Sequence, residues 1–240
     1  MGALQKLQII HIATHDSIGT GEDGPTHQPV ELAALYRAMP NLLYIRPCDS
    51  EETAGAYIAA LEAKNNSSIL SLSRQGLPQY PGKSSRDGVQ KGAYVFIEDD
   101  EAKVTLLGIG AEMRFAIQTR DLLLEKYGIH ARVVSFPCQR LFDAQPASYR
   151  RSVLKYDTEI PIVVIEAYAV NGWEKYADAG VSMDTFGHSL PGDVAYRYFG
   201  FNEKVIVPKV KELIERVESD GLRSLRGEFV DLTVKEAEGH

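Results

Sequence analysis

Cysteine is scarce in this chain. Cys48 and Cys138 are the only two, far apart and in no metal-ligand spacing. That excludes a disulfide framework and a zinc module, and it predicts buried thiols in a reducing compartment. Long apolar runs are missing too. Runs such as Ile162 to Ile165 fall far short of the ~20 residues that span a bilayer. The first residues, Met-Gly-Ala-Leu-Gln-Lys-Leu-Gln, have no apolar signal core. The last, Glu-Gly-His, match neither a peroxisomal tripeptide nor a prenylation motif. Nor is there a basic excess. Net charge is -7, so nothing draws the chain to nucleic acid or to an anionic membrane. Repeats and low-complexity segments are absent. The expectation is a cytoplasmic protein of one or two domains, since 240 residues are ample for a buried core.

What is present is an alternation of strands and helices. Leu7 to Ala13 reads as a buried strand. Thr14 to Gln28 has no apolar periodicity and reads as a loop. Pro29 is placed to open a helix over Val30 to Met39. Leu42 to Ile45 is a strand. Asp49-Ser50-Glu51-Glu52 reads as a helix N-terminus with carboxylates in its first turn, and the helix runs to about Ala63. Ser68 to Ser73 is a third strand. This order predicts a parallel sheet with crossover helices. Three strands are few for a sheet, so either the fold is small or another chain supplies the rest.

Gly76 to Gly92 interrupts the alternation with glycines and prolines and reads as an interdomain linker. The cycle then restarts. Strands are expected at Tyr94 to Ile97, Val104 to Ile109, Ala131 to Phe136 and Ile162 to Ala167. Helices are expected at Gly110 to Tyr127, closed by Gly128, and at Pro146 to Leu154, Trp173 to Gly180, Pro191 to Phe199 and Glu203 to Glu218. Ser219 to His240 reads as a loose polar tail.

The chemistry concentrates in the first loop, from His15 to Gln28, which holds two histidines, several carboxylates and three glycines. It follows a strand and precedes a helix, so it lies at the carboxyl edge of the sheet, where open α/β proteins bind ligands. Histidine donates to oxyanions and transfers protons near neutral pH. Glycine permits close backbone approach to a ligand. Arg74, at the end of the third strand, can reach the same edge and clamp a phosphate or carboxylate; by composition alone a surface salt bridge is an equal reading. Elsewhere, Trp173 reads as packed core, His188 as a surface turn residue and Cys138 as an inert thiol. Gly108-x-Gly110 is too short to indicate nucleotide binding.

Thr14-His15-Asp16-Ser17-Ile18-Gly19 and Gly21-Glu22-Asp23-Gly24-Pro25-Thr26-His27-Gln28-Pro29 resemble the signature loop of transketolases. Arg46-Pro47-Cys48-Asp49 and Ser71-Leu72-Ser73-Arg74-Gln75 resemble the next two strand ends of that family. Gly108-Ile109-Gly110-Ala111-Glu112-Met113, Val133 to Cys138, Phe142-Asp143 and Tyr198-Phe199-Gly200-Phe201 follow its C-terminal domain. Gln79 to Ser85 and Tyr149 to Leu154 are similar to the dihydroxyacetone synthase branch. The resemblance covers residues 9 to about 232.

The resemblance implies an α/β protein with a partial parallel-sheet, pyrimidine-binding-type domain (1–78), a linker (79–92), a transketolase C-terminal-type α/β domain (93–232) and a flexible tail (233–240). It implies transfer of a two-carbon ketol unit to an aldehyde acceptor, dependent on thiamine diphosphate and magnesium. His27 matches the histidine beside the cofactor's reactive carbon, Asp23 the carboxylate that contacts a substrate hydroxyl, and His15 with Arg74 the pair that holds the sugar phosphate. The diphosphate- and metal-binding domain has no counterpart here, and neither has the glutamate that activates the aminopyrimidine. The implied partner is therefore an N-terminal-type transketolase subunit, in a hetero-oligomer with two copies of this chain. A binding protein or enzyme that reuses the loop without thiamine diphosphate, and a non-catalytic assembly module, stay open as alternatives.

Overall fold

Two sheets, each built mainly from parallel strands, meet through a buried cluster of charges. The computed structural model describes residues 1–225 and 227–233. The first sheet has three parallel strands, β1 (Ile10–Thr14), β2 (Leu42–Ile45) and β3 (Ser67–Leu72), in the order β1-β3-β2. α1 (Leu32–Ala38) and α2 (Ser50–Glu62) are the crossovers. The second sheet runs β4 (Tyr94–Ile97), β6 (Arg132–Ser135), β5 (Thr105–Gly108), β7 (Ile162–Ile165), β8 (Ala179–Val181) and β9 (Val230–Asp231). Only β4 is antiparallel to its neighbour. A short α3 (Arg86–Gln90) precedes it, and its helices are α4 (Met113–Tyr127), α5 (Gln139–Asp143), α6 (Ala147–Leu154), α7 (Gly192–Tyr198) and α8 (Glu203–Asp220). Among the described residues no helix is long and apolar enough to cross a membrane.

Local signals account for most of these elements. The Asp49 side chain accepts from the Glu52 backbone N–H and starts α2 as the sequence predicts. Gly128, at φ 64°, closes α4 in the left-handed conformation. Asn202 caps α8 by accepting from the Lys204 and Val205 amides. β7 is buried along its whole length because β5 and β8 flank it.

Four expectations are corrected. The first strand starts at Ile10, not Leu7, because residues 1–7 fold into turns closed by the Leu7 amide on the Gly2 carbonyl. Trp173 to Gly180 is not helical: a 3-10 turn, Trp173–Lys175, leads into strand β8. Gly180 lies so close to Val164 and Phe229 that a Cβ there would stand 2.9 Å from each, so sheet packing overrides local propensity. The linker carries α3, capped by Ser85 and pressed onto Gly55 of α2. The polar stretch after Ser219 is not loose throughout. Leu225 and Leu232 are buried, and β9 pairs with β8. The rest of the expected tail, 234–240, lies outside the described residues. Trp173 is core and both cysteines are buried free thiols, as expected.

Arg46 follows β2 directly and is fully buried. Its Nε donates to Asp16 Oδ2 at 2.9 Å, Nη1 to Glu166 Oε1 at 2.7 Å and Nη2 to Glu112 Oε2 at 2.9 Å. The guanidinium also lies over the Tyr168 ring, 4.3 Å from its centroid. Glu166 in turn accepts both prongs of Arg37 and the Trp173 indole N–H. Asp16 and the two arginines belong to the first sheet's unit, and Glu112 and Glu166 to the second. A parallel joint forms where Glu52 of α2 accepts from the Ser135 and Tyr94 hydroxyls.

Two carboxylates of the cluster respond oppositely to their setting. Burial pushes the Asp16 carboxyl up to about 6, against the pull of Arg46. Burial also opposes ionisation of Glu166, but Arg37 and Arg46 outweigh it and hold that carboxyl down to about 2. Removing one partner from a buried ion pair costs about 3–5 kcal/mol, because it strands the others. Arg46→Met is therefore expected to lose that much stability in urea denaturation. Arg86→Ala, which breaks only the exposed pair with Glu51, should lose less than about 1 kcal/mol. The Asp16 shift also fixes a sign. Folding takes up a proton between the ordinary carboxyl value of 3.8 and about 6. The stability Asp16 contributes is present at the acid end and is lost as pH rises through that window. Subtracting the pH profile of Asp16→Asn from that of the parent should reveal this fall, with a flat difference above neutrality.

Candidate active site

The loop between β1 and α1 is held down on one side and open on the other. His15 and Ser17 both take left-handed backbone angles, φ 70° and 58°, unusual for residues with a side chain. Such a conformation costs on the order of 1–3 kcal/mol and persists only where surroundings impose it. Here they do. The Asp16 amide donates to the Leu72 carbonyl and its carboxylate is gripped by Arg46. The Ser17 amide donates to the Tyr168 hydroxyl, and the Ser17 hydroxyl donates to Glu112. Ile18 is fully buried. With 16, 17 and 18 pinned inward, His15 is turned out.

Gly24, at φ 87°, then starts a 3-10 turn, Pro25–His27, in which the His27 backbone N–H donates to the Gly24 carbonyl. Gln28 is buried and donates to the carbonyls of Ile18 and His188. The contact with the second unit is tight: a Cβ at Gly187 would fall 1.6 Å from Gln28 Oε1, so only glycine fits there. Ser189 donates to the Glu22 carbonyl and ties down the loop's far arm.

The outcome is an open cleft of about 700 Å³ at the carboxyl edge of β1 and β3. His15 and His27 both line it, with Tyr36, Tyr44, Ser71 and Phe186. Each imidazole has its Nδ1 beside the hydroxyl of the preceding threonine, Thr14 at 3.0 Å and Thr26 at 3.1 Å. Neither Nε2 has a hydrogen-bond partner among the described residues. Two rings fixed at one nitrogen and open at the other can each donate to, or exchange a proton with, a bound molecule.

Arg74 and Asp23 are placed differently. Neither lines the cleft. Arg74 is exposed after β3 and leans on the loop at Gly21, where a Cβ would stand 3.9 Å from its Nη1. Asp23 is exposed on the loop. Neither side chain forms an ion pair among the described residues, so both charges face solvent. Among those residues, no group of three or more His, Cys, Asp or Glu side chains is placed to hold a metal ion.

Sequence reasoning missed the residues that set this geometry. Asp16, Ser17, Arg46, Glu112 and Glu166 entered only as members of motifs, or not at all. A signal existed, since Arg46 and Glu166 are charges that directly follow the apolar runs Leu42 to Ile45 and Ile162 to Ile165. A charge at the carboxyl end of a buried strand must find a partner or stay unburied. Which partners it finds depends on the packing of the two units.

Comparison with known proteins gives one family throughout. The model for the transketolase pyrimidine-binding domain matches residues 1–79, and that for the transketolase-like C-terminal domain matches residues 92–202. Dihydroxyacetone synthase of Candida boidinii is 51% identical over 98% of this chain and 33% of its own length. The transketolase structure from Leishmania mexicana superimposes with a TM-score of 0.84 at 45% identity, over 90% of this chain and 31% of that one. A structure described as a split-gene transketolase, inactive β4 tetramer, shares the fold at a TM-score of 0.68 and 21% identity, over 86% of this chain and 67% of that one. This chain spans about a third of the length of the first curated relatives it matches. It belongs to the transketolase family, of which it carries pyrimidine-binding-domain sequence followed by the C-terminal domain.

Proposed function

We propose that this chain is the C-terminal subunit of a split, thiamine-diphosphate-dependent transketolase-like transferase. It moves a two-carbon ketol unit to an aldehyde acceptor in the cytoplasm. The observation that carries the reading is the pair His15 and His27, threonine-backed and facing one cleft. A purely structural module has no physical need for two imidazoles at its edge, each fixed at Nδ1 and open at Nε2. The cofactor, when bound, supplies the carbon nucleophile that accepts the two-carbon unit. His27, which lines the same cleft, would hold or move a proton at the ketol oxygens of the substrate. His15 and Arg74 hold the acceptor's anionic end, and Asp23 accepts from a substrate hydroxyl.

A partner chain of the N-terminal transketolase type would hold the diphosphate and magnesium and bring the activating glutamate. The free edge of β1 supports this. β1 is an edge strand on which Ile12 is exposed, and Leu4 and Leu7 are exposed nearby in sequence. An open strand edge with apolar side chains is unstable against association until covered. The split-gene relative, described as an inactive β4 tetramer, is a precedent for such a division. The assembly we favour pairs two copies of this chain with two of the partner.

Isothermal titration of the isolated chain with thiamine diphosphate and magnesium should show no binding tighter than about 10 µM, since the groups for the diphosphate and metal are elsewhere. Ketol transfer should appear only when a polypeptide carrying the diphosphate domain is added. Tight binding by the isolated chain would overturn the division of the site.

In the completed assembly, His27→Ala should lower kcat by about 10²–10⁴, the worth of a general acid–base group. Arg74→Ala should mainly raise KM for an anionic acceptor and cost little for a neutral one, because a positioning contact is made equally in ground and transition states. Steady-state kinetics on both acceptors, with cofactor occupancy checked in each variant, decides it. An unchanged kcat in His27→Ala would move the weight to a loop that binds without thiamine diphosphate.

A further inference from the structure

A second pocket, of about 380 Å³, lies between α4, α7 and α8. None of the residues that line it lines the histidine cleft. Three cations reach it, Arg114, Arg197 and Lys204, together with the carboxylates Asp193 and Glu203. The pocket's charged lining is thus net positive in a chain whose net charge is -7.

Arg114 is the informative residue. Most other buried or half-buried arginines have spent their donors: Arg46 on three carboxylates, Arg37 on Glu166, Arg132 on Glu98, and Arg140 on the carbonyls of Leu42 and Met39. Arg114 has not. Its guanidinium is held over the rings of Phe115 and Tyr196, at 4.6 and 4.7 Å. Its Nε is buried with no partner, as are those of Arg120 and Arg150, and of the three it is Arg114 that lines this pocket. Its one ion pair is a loose 3.7 Å contact with a largely exposed Asp193. Arg197 and Lys204 form no ion pair among the described residues. The first amides of α8 are already taken by Asn202, so the helix terminus contributes nothing.

We propose that this pocket binds a phosphate dianion, either inorganic phosphate or the phosphate end of a small polyol ester, on Arg114, Arg197 and Lys204. A guanidinium oriented by aromatic faces is pre-organised for two phosphate oxygens, and the two outer cations close over it. Asp193 and Glu203 are placed to accept from hydroxyls of an ester. The pocket has room for a phosphate with a three-carbon body.

The test is isothermal titration of the full chain with inorganic phosphate, and separately with glycerol 3-phosphate, in a phosphate-free buffer of low ionic strength. Saturable one-to-one binding tighter than about 1 mM is expected. Arg114→Gln should weaken it on the order of tenfold. Because that change also removes stacking on two rings, Arg197→Gln and Lys204→Gln serve as exposed controls; each should weaken binding several-fold with an unchanged melting temperature. Arg74→Gln should leave the affinity within about twofold, which separates this pocket from the proposed substrate site. Tighter binding of glycerol 3-phosphate would identify an ester as the ligand, and equal binding the free ion. The proposal is overturned by no saturable binding of either probe. It is equally overturned by binding that survives Arg197→Gln and Lys204→Gln and vanishes in Arg74→Gln.

Discussion

Everything distinctive about this chain depends on one guanidinium buried among three carboxylates. Lysine could not replace Arg46, because a point charge on a flexible stem cannot direct separate donors to Asp16, Glu112 and Glu166 while stacking on Tyr168. With Arg37 the cluster holds two cations and three carboxyl groups, and is neutral only when one carboxyl keeps its proton. Asp16, which burial pushes up to about 6, takes up that proton only as the pH falls through this value. An ion cluster of this kind is weak evidence for net stability, since desolvation offsets much of the attraction. Its value lies in specificity: Asp16 comes from the loop, Arg46 from the strand beside it, and the two glutamates from the other sheet. Only one arrangement of the two units satisfies all four.

That arrangement also explains how a glycine-rich loop holds two histidines still. Left-handed angles at His15 and Ser17 oppose the loop's own preferences. They are imposed by bonds to Leu72, Arg46, Tyr168 and Glu112. On the other arm, Gln28 is locked against the close approach of Gly187. The imidazoles thus sit on the loop's free face while its buried face is anchored from both sheets. Site and domain interface are the same construction seen from two sides.

Much of this was legible in the sequence. The helix start at Asp49-Ser50-Glu51-Glu52, the stop at Gly128 and the continuous apolar strand Ile162–Ile165 are local signals, and local signals survive folding. The polar loop announced itself by composition alone, and its histidines do face one cleft. The errors fall where the deciding contact is distant in sequence. Ala179-Gly180-Val181 looks helical in isolation because it is short and its partners, Val164 and Phe229, are far along the chain. β9 was read as tail because two residues carry no periodicity.

The sequence by itself determined the family and most of the α/β order of elements, and it marked the polar loop, because these rest on residue identity and near-neighbour spacing. Tertiary structure decided the rest. His15 and His27 share a cleft while Arg74 and Asp23 stand outside it. Arg46 holds three carboxylates, and Arg114 keeps a buried nitrogen unpartnered. The physical reason is range. Propensity and capping act over a few residues, whereas burial and ion pairing act between groups that become neighbours only once both sheets have packed.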